Sequence, residues 1–181
     1  MAKIRQDIWG SNTFAASAVT VGISKGIFDL NTNASTLLDT NLKTPGRIPY
    51  EKVMVYGIQA EIYNDGNLAV LPGTDLNAAI HNLELSIYKN NARKIFKGML
   101  HRIPAGNDVT GSFHNPAATT TEYHLTAGAP LVSQFFPLNS VEVLTDKDTL
   151  TGTLTVKFAW TPATAFRVRI TLLSYIEQNQ A

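Results

Sequence analysis

Cysteine is absent from the 181 residues, which excludes disulfide staples, thiol nucleophiles and thiolate-bound zinc at once. Charge is scarce as well: Asp, Glu, Lys and Arg make up 16% of the chain, against the usual quarter. Fifteen Lys and Arg stand against fourteen Asp and Glu, a formal net charge of +1. No global field therefore draws nucleic acid or an anionic membrane to the whole molecule. Long apolar runs are missing too. No stretch approaches the ~20 residues of a membrane span, and the opening MAKIRQDIWG holds no apolar run of signal-peptide length. These absences predict a chain made and folded in the cytoplasm, with a surface suited to packing against neighbours.

Catalytic motifs are equally scarce. The four histidines, His81, His101, His114 and His124, show none of the close spacings of a metalloprotease helix or a zinc finger; His114 and His124 could meet only across a hairpin. Gly10-Ser11 and Gly111-Ser112 lack the second glycine of a nucleophile elbow. LPGTD and TPGRIP are single-glycine turns without a P-loop lysine. Asp146, Lys147 and Asp148 form the densest acidic cluster but lack the glycine and terminal glutamate of a calcium loop, and read as a solvated hairpin loop. Arg167, Arg169 and Tyr175 share one face of a strand; without a basic balance they read as amphipathic side chains covering apolar surface rather than a nucleic-acid platform. No catalytic, cofactor-binding or metal-ligating residue is expected, and the chain is read as not an enzyme.

What the sequence does have is alternation of apolar and other residues with a period of two, the mark of strands with one face on a core. In KVMVYGIQAEIY the even positions Met54, Tyr56, Ile58, Ala60 and Ile62 form an apolar row. Leu83, Leu85 and Ile87 alternate with Glu84 and Ser86, and Asn90-Asn91 then turns the chain into RKIFKGML, a predicted hairpin. Leu154, Val156, Phe158 and Trp160 alternate with threonines and Lys157; after Thr161-Pro162 the rhythm resumes as Phe166, Val168, Ile170 and Leu172. Weaker strands are predicted in AVTVGISKGIFDL, TEYHLTA and SVEVLT, and one short helix in TDLNAAIHN with Thr74 or Asp75 as N-cap. The fold class predicted is all-β: about eight antiparallel strands and at most one short helix. A chain of this length buries about 70% of its unfolded surface as one domain without staples. Two long polar connections, DLNTNASTLLDTNLKTPGRIP and IPAGNDVTGSFHNPAATT, are of a length expected to be functional, interface-forming or disordered.

The order of these strands, with EKVMVYGIQAEIY, then LELSIYKNNARKIFKG, then a loop-rich middle and a closing FRVRITLLSYIEQ, resembles the jelly-roll coat proteins of tailless icosahedral viruses. The likeness is to the vertical jelly-roll lineage, which often encloses a membrane, and covers about residues 15 to 178 as a rhythm rather than a motif. It implies a single jelly-roll β-sandwich over residues 15–181 and a structural coat protein that self-assembles into an icosahedral shell through arm, loop and sheet-edge contacts, with the virion as its destination. The partners implied are copies of itself; the resemblance also admits a sister coat protein and an internal membrane or host-derived lipid, but no sequence-specific nucleic acid and no small-molecule substrate. Residues 1–14 are expected to be an arm that docks on an adjacent subunit through Ile4, Ile8, Trp9 and Phe14. The alternative is a β-sandwich carbohydrate-binding or virion attachment module, using aromatic side chains on a sheet face; against it, Trp160 continues an apolar row and is expected in the core. A metal-dependent enzyme on a related double-stranded β-helix would need a His-x-Asp or His-x-His cluster, which the chain lacks.

Overall fold

The computed structural model describes residues 2–28, 40–42, 44, 46–65, 73–103, 109–114, 123–127 and 135–178. Its strands are β1 (Ala2–Arg5), β2 (Ile8–Phe14), β3 (Ser24–Gly26), β4 (Lys52–Asn64), β5 (Leu83–Lys89), β6 (Arg93–Met99), β7 (Val109–His114), β8 (Tyr123–Ala127), β9 (Phe136–Thr145), β10 (Leu150–Val156) and β11 (Phe166–Gln178). One α-helix, α1 (Gly73–Asn82), precedes β5, and a single 3-10 turn at Leu100–Arg102 follows β6.

Two antiparallel sheets face each other. One runs β1-β11-β4-β9 with β2 also on β11, the other runs β3-β10-β5-β6, and β7 with β8 forms a separate ribbon. Strands β1 and β2 share one register on β11, from Ala2 opposite Gln178 to Phe14 opposite Phe166. They act as a single edge, leaving four positions in each sheet. Apart from the β5–β6 hairpin, consecutive strands of the sandwich lie in opposite sheets. This is the wiring of a single jelly roll.

Apolar alternation builds the core. Phe166, Val168, Ile170 and Leu172 enter it from β11, Leu83, Leu85 and Ile87 from β5, and Leu154 and Val156 from β10, all fully buried. Each such side chain contributes ~1.5–3 kcal/mol on leaving water. The expected β5–β6 hairpin turns on Asn90 and Asn91, both at positive φ, a backbone state that Asn tolerates.

Four expectations need correction. Residues 2–14 are not a free arm: they are hydrogen-bonded along β11, and Ile8 and Phe14 are each 1% exposed in the chain's own core, so neither can dock on a neighbour. Of the four proposed interface residues, only Ile4, exposed, and Trp9, half-buried, reach the surface. In β4 the apolar row changes phase. Val53 and Val55 point inward, β4 carries Tyr56 as an extra residue against β11, and Ile58 and Ala60 then resume the inward row, so Met54 and Tyr56 leave it. A bulge of one residue is enough to flip the faces of a strand. Phe158 lies beyond the end of β10 and is 62% exposed, while Trp160 is partly buried against the core. Finally, α1 starts at Gly73, so Thr74 and Asp75 lie inside its first turn; the Asp75 carboxylate accepts hydrogen bonds from the backbone N–H groups of Ala163 and Thr164 in the β10–β11 connection.

Candidate functional site

The two margins of the sandwich differ. On the β2–β3 side the sheets are tied: Asn12 Nδ2 donates to the Gly26 carbonyl at 2.6 Å, and half-buried Lys25 donates to the Thr13 carbonyl while lying over the Phe14 ring. Burial lowers the Lys25 pKa. Beyond β2, Thr40 and Asn41 bind the Trp9 backbone.

On the β6–β9 side the sheets part into a groove of about 380 Å³. Its lining includes Ile95, Phe96, Phe136 and Leu138, with Phe96 and Phe136 edge-to-face at 5.1 Å between ring centroids. Arg93, Lys94, Lys97 and Arg102 also line it, with one carboxylate, Glu142. Glu142 is a buried charge on an edge strand, a placement that discourages edge-to-edge pairing; it is held by Arg93 at 2.8 Å.

Next to this margin, the outer face of the larger sheet is apolar at one end. Tyr175, Met54 and Val143 form a cross-strand row over β11, β4 and β9, with Val141 47% and Val143 37% exposed. Tyr56 adds its ring 6.1 Å from that of Tyr175, and Lys3 lies over the Tyr175 ring. The β4 bulge is what brings Met54 and Tyr56 to this face. Farther along the same face the expected Arg167 and Arg169 are engaged internally. Arg167 donates to Asp65 at 2.8 Å and to Ser11, and Arg169 lies over the Trp9 ring at 4.1 Å, near Glu61. Their stems and heads cover the sheet, as the amphipathic reading of the sequence expects.

The DKD cluster does structural work at one end of the sandwich. Asp148 accepts hydrogen bonds from Asn90 Nδ2 and from the Thr145 N–H and hydroxyl, with Lys89 Nζ at 3.1 Å. Burial works against its charge, but the bonds from Asn90, Lys89 and Thr145 prevail and hold its pKa at about 2, below the ordinary 3.8. The stabilisation is therefore complete above pH ~4 and fades as pH falls toward 2. Asp148→Asn is expected to cost about 1–3 kcal/mol in urea melts near neutral pH, with parent and variant converging near pH 2. An equal difference at both pH values would exclude the carboxylate as the source.

His81, from the last turn of α1, and His101 stack with ring centroids 5.0 Å apart, a pairing that residues 20 apart in sequence do not announce. His114 and His124 lie one register step apart, opposite Tyr123 and Phe113 respectively. Among the described residues, no group of three or more His, Asp or Glu could hold a metal ion. The two long polar connections lie largely outside the described residues, although β7 (Val109–His114) falls within the second.

Sequence reasoning missed the groove. Four of the fifteen cations fall within residues 93–102, where there is no acid; a local charge count would have found them. Compared with family models, with curated proteins and with solved structures, the chain finds no match in any of the three.

Proposed function

We propose that the chain is a structural coat subunit of an icosahedral viral shell, a single jelly roll whose exposed apolar surface is covered by sister copies. The observation that carries this reading is the row Tyr175–Met54–Val143 beside exposed Val141, an apolar strip on the outside of a sheet whose inner face already fills the core. Contiguous apolar surface on a small domain marks a place of association. A second apolar site lies at one end of the sandwich, where Val21 and Phe158 are each 62% exposed. Two separate patches allow heterologous contacts, the kind that close into rings and shells rather than stopping at a dimer. Low charge density reduces the desolvation cost of such contacts.

Sedimentation velocity and negative-stain microscopy of the concentrated protein test this. The parent chain is expected to form large closed particles, and the pair Val141→Lys with Val143→Lys to leave a folded 19.7 kDa monomer, because exposed substitutions cost little stability. A parent that stays monomeric at every concentration would sink the reading.

The paired rings of Tyr56 and Tyr175 on the sheet face support the alternative, a carbohydrate-binding module, since aromatic faces on a sheet stack against sugar rings. A monomer retained on a glycan array, with retention lost on Tyr175→Ala, would favour it.

A further inference from the structure

We propose that the groove between β6 and β9 binds the sugar-phosphate backbone of a single-stranded nucleic acid without reading its bases. Several cations elsewhere on the molecule have carboxylate partners: Arg5 with Asp7, Lys89 with Asp148, Lys157 with Glu84, Arg167 with Asp65. In the groove four cations meet one carboxylate. Arg93 takes up Glu142 at 2.8 Å, and Lys97 reaches only to 3.9 Å from Glu84. Lys94 and Arg102 are exposed and have no carboxylate partner among the described residues. The net charge of +1 hides this local surplus of three.

Shape and chemistry narrow the ligand. The cations from Arg93 to Lys97 follow β6, and at ~3.3 Å per residue they span roughly 13 Å, a trench rather than a point. A flat membrane meets convex or planar surfaces, whereas a trench takes a chain. Its lining is divided: guanidinium and ammonium groups suit phosphate oxygens, and half-buried Phe136 with Leu138 offers apolar surface. A single strand has the same division, with phosphates on one side and base π-faces on the other, which is how sequence-tolerant sites hold it. An acidic peptide matches the cations but not the aromatic lining. The inference does not depend on assembly, since the groove lies within one chain.

Fluorescence anisotropy of a labelled oligothymidylate with the full chain tests it. Binding is expected to weaken between about 50 and 200 mM salt with a log–log slope near −2, the value for about three phosphates on a single strand. Lys94→Glu with Arg102→Glu should lower affinity at least about tenfold, and the neutral pair Lys94→Gln with Arg102→Gln should lower it less. Lys147→Glu, in the exposed β9–β10 turn, should leave it unchanged. Thermal melts confirm that each variant is folded. Absence of binding at low salt, full affinity in the charge-reversed pair, or an equal loss with Lys147→Glu would overturn the proposal. So would stronger retention by phosphatidylglycerol vesicles than by the oligonucleotide, which would assign the cations to a lipid surface.

Discussion

Removal of residues 2–14 is expected to abolish cooperative folding. Those residues supply the whole outer partner of β11, paired from Ala2 at Gln178 to Phe14 at Phe166. Two of their side chains are core: Ile8 is buried, and the Phe14 ring stacks on Phe166 at 5.0 Å, nearly parallel. Burial of these two alone contributes about 3–6 kcal/mol. The deletion also unties the margin closed by Asn12 and Lys25, and leaves the outer edge of β11 unpaired, with only β4 still bonded to it. A domain of this kind holds a net stability of about 5–15 kcal/mol, so the combined loss takes most or all of it. Circular dichroism and urea titration of the truncated chain are the measurement; a cooperative transition within about 2 kcal/mol of the parent would refute the assignment of these residues to the core.

Phe28→Ala is expected to cost about 5 kcal/mol, the top of the range of about 3–5 kcal/mol for an aromatic truncation. The side chain is fully buried, and its ring is seated where two glycines have withdrawn. A Cβ at Gly10 would lie 2.9 Å from the ring and 2.3 Å from the Ile27 carbonyl oxygen, and a Cβ at Gly152 would lie 2.6 Å from the ring. Gly10 belongs to one sheet and Gly152 to the other, so Phe28 fills the space between the sheets where neither wall has a side chain to offer. Walls without side chains cannot collapse into the vacated volume, which is why the loss falls at the top of the range. Urea melts of the variant measure it; a loss below about 1.5 kcal/mol would show that the walls do close.

How much of this was legible in the sequence depended on whether the cause was local. The inward rows of β5, β10 and β11 through Leu172 could be read from alternation, because each presents one apolar face to the core; past Leu172 the period of β11 breaks, with Leu173 and Ser174 buried as well. The Asn90-Asn91 turn could be read because few residues accept positive φ. The phase change at Tyr56 could not: nothing in KVMVYGIQAEIY says that one residue will be left out of the pairing with β11. The fate of residues 2–14 was hidden for a related reason. IWGSNTF has no alternation, since Gly10 is present for close approach to Ile27 rather than for a pattern, and its partner lies more than 150 residues away. The groove lay between these cases. Its cations all fall within residues 93–102, but the carboxylate Glu142 and the ring of Phe136 come from β9, some 40 residues on, so the charge surplus was countable while the site was not.

The shared register of β1 and β2 on β11 also bears on how the chain reaches its fold. Ile8 leaves the ribosome long before its partner Leu172; at 5–20 residues per second the interval is on the order of 10–30 s. From the synthesis of β4 (Lys52–Asn64) onward, the β4 edge that β11 will cover stays bare, and that edge includes Ile58 and Ala60. The sandwich closes only when its last long strand slides between the first and the fourth, a contact of very high sequence separation that places folding at the slow end for its size. Nascent copies on one messenger therefore spend that interval side by side with matching, uncovered edges.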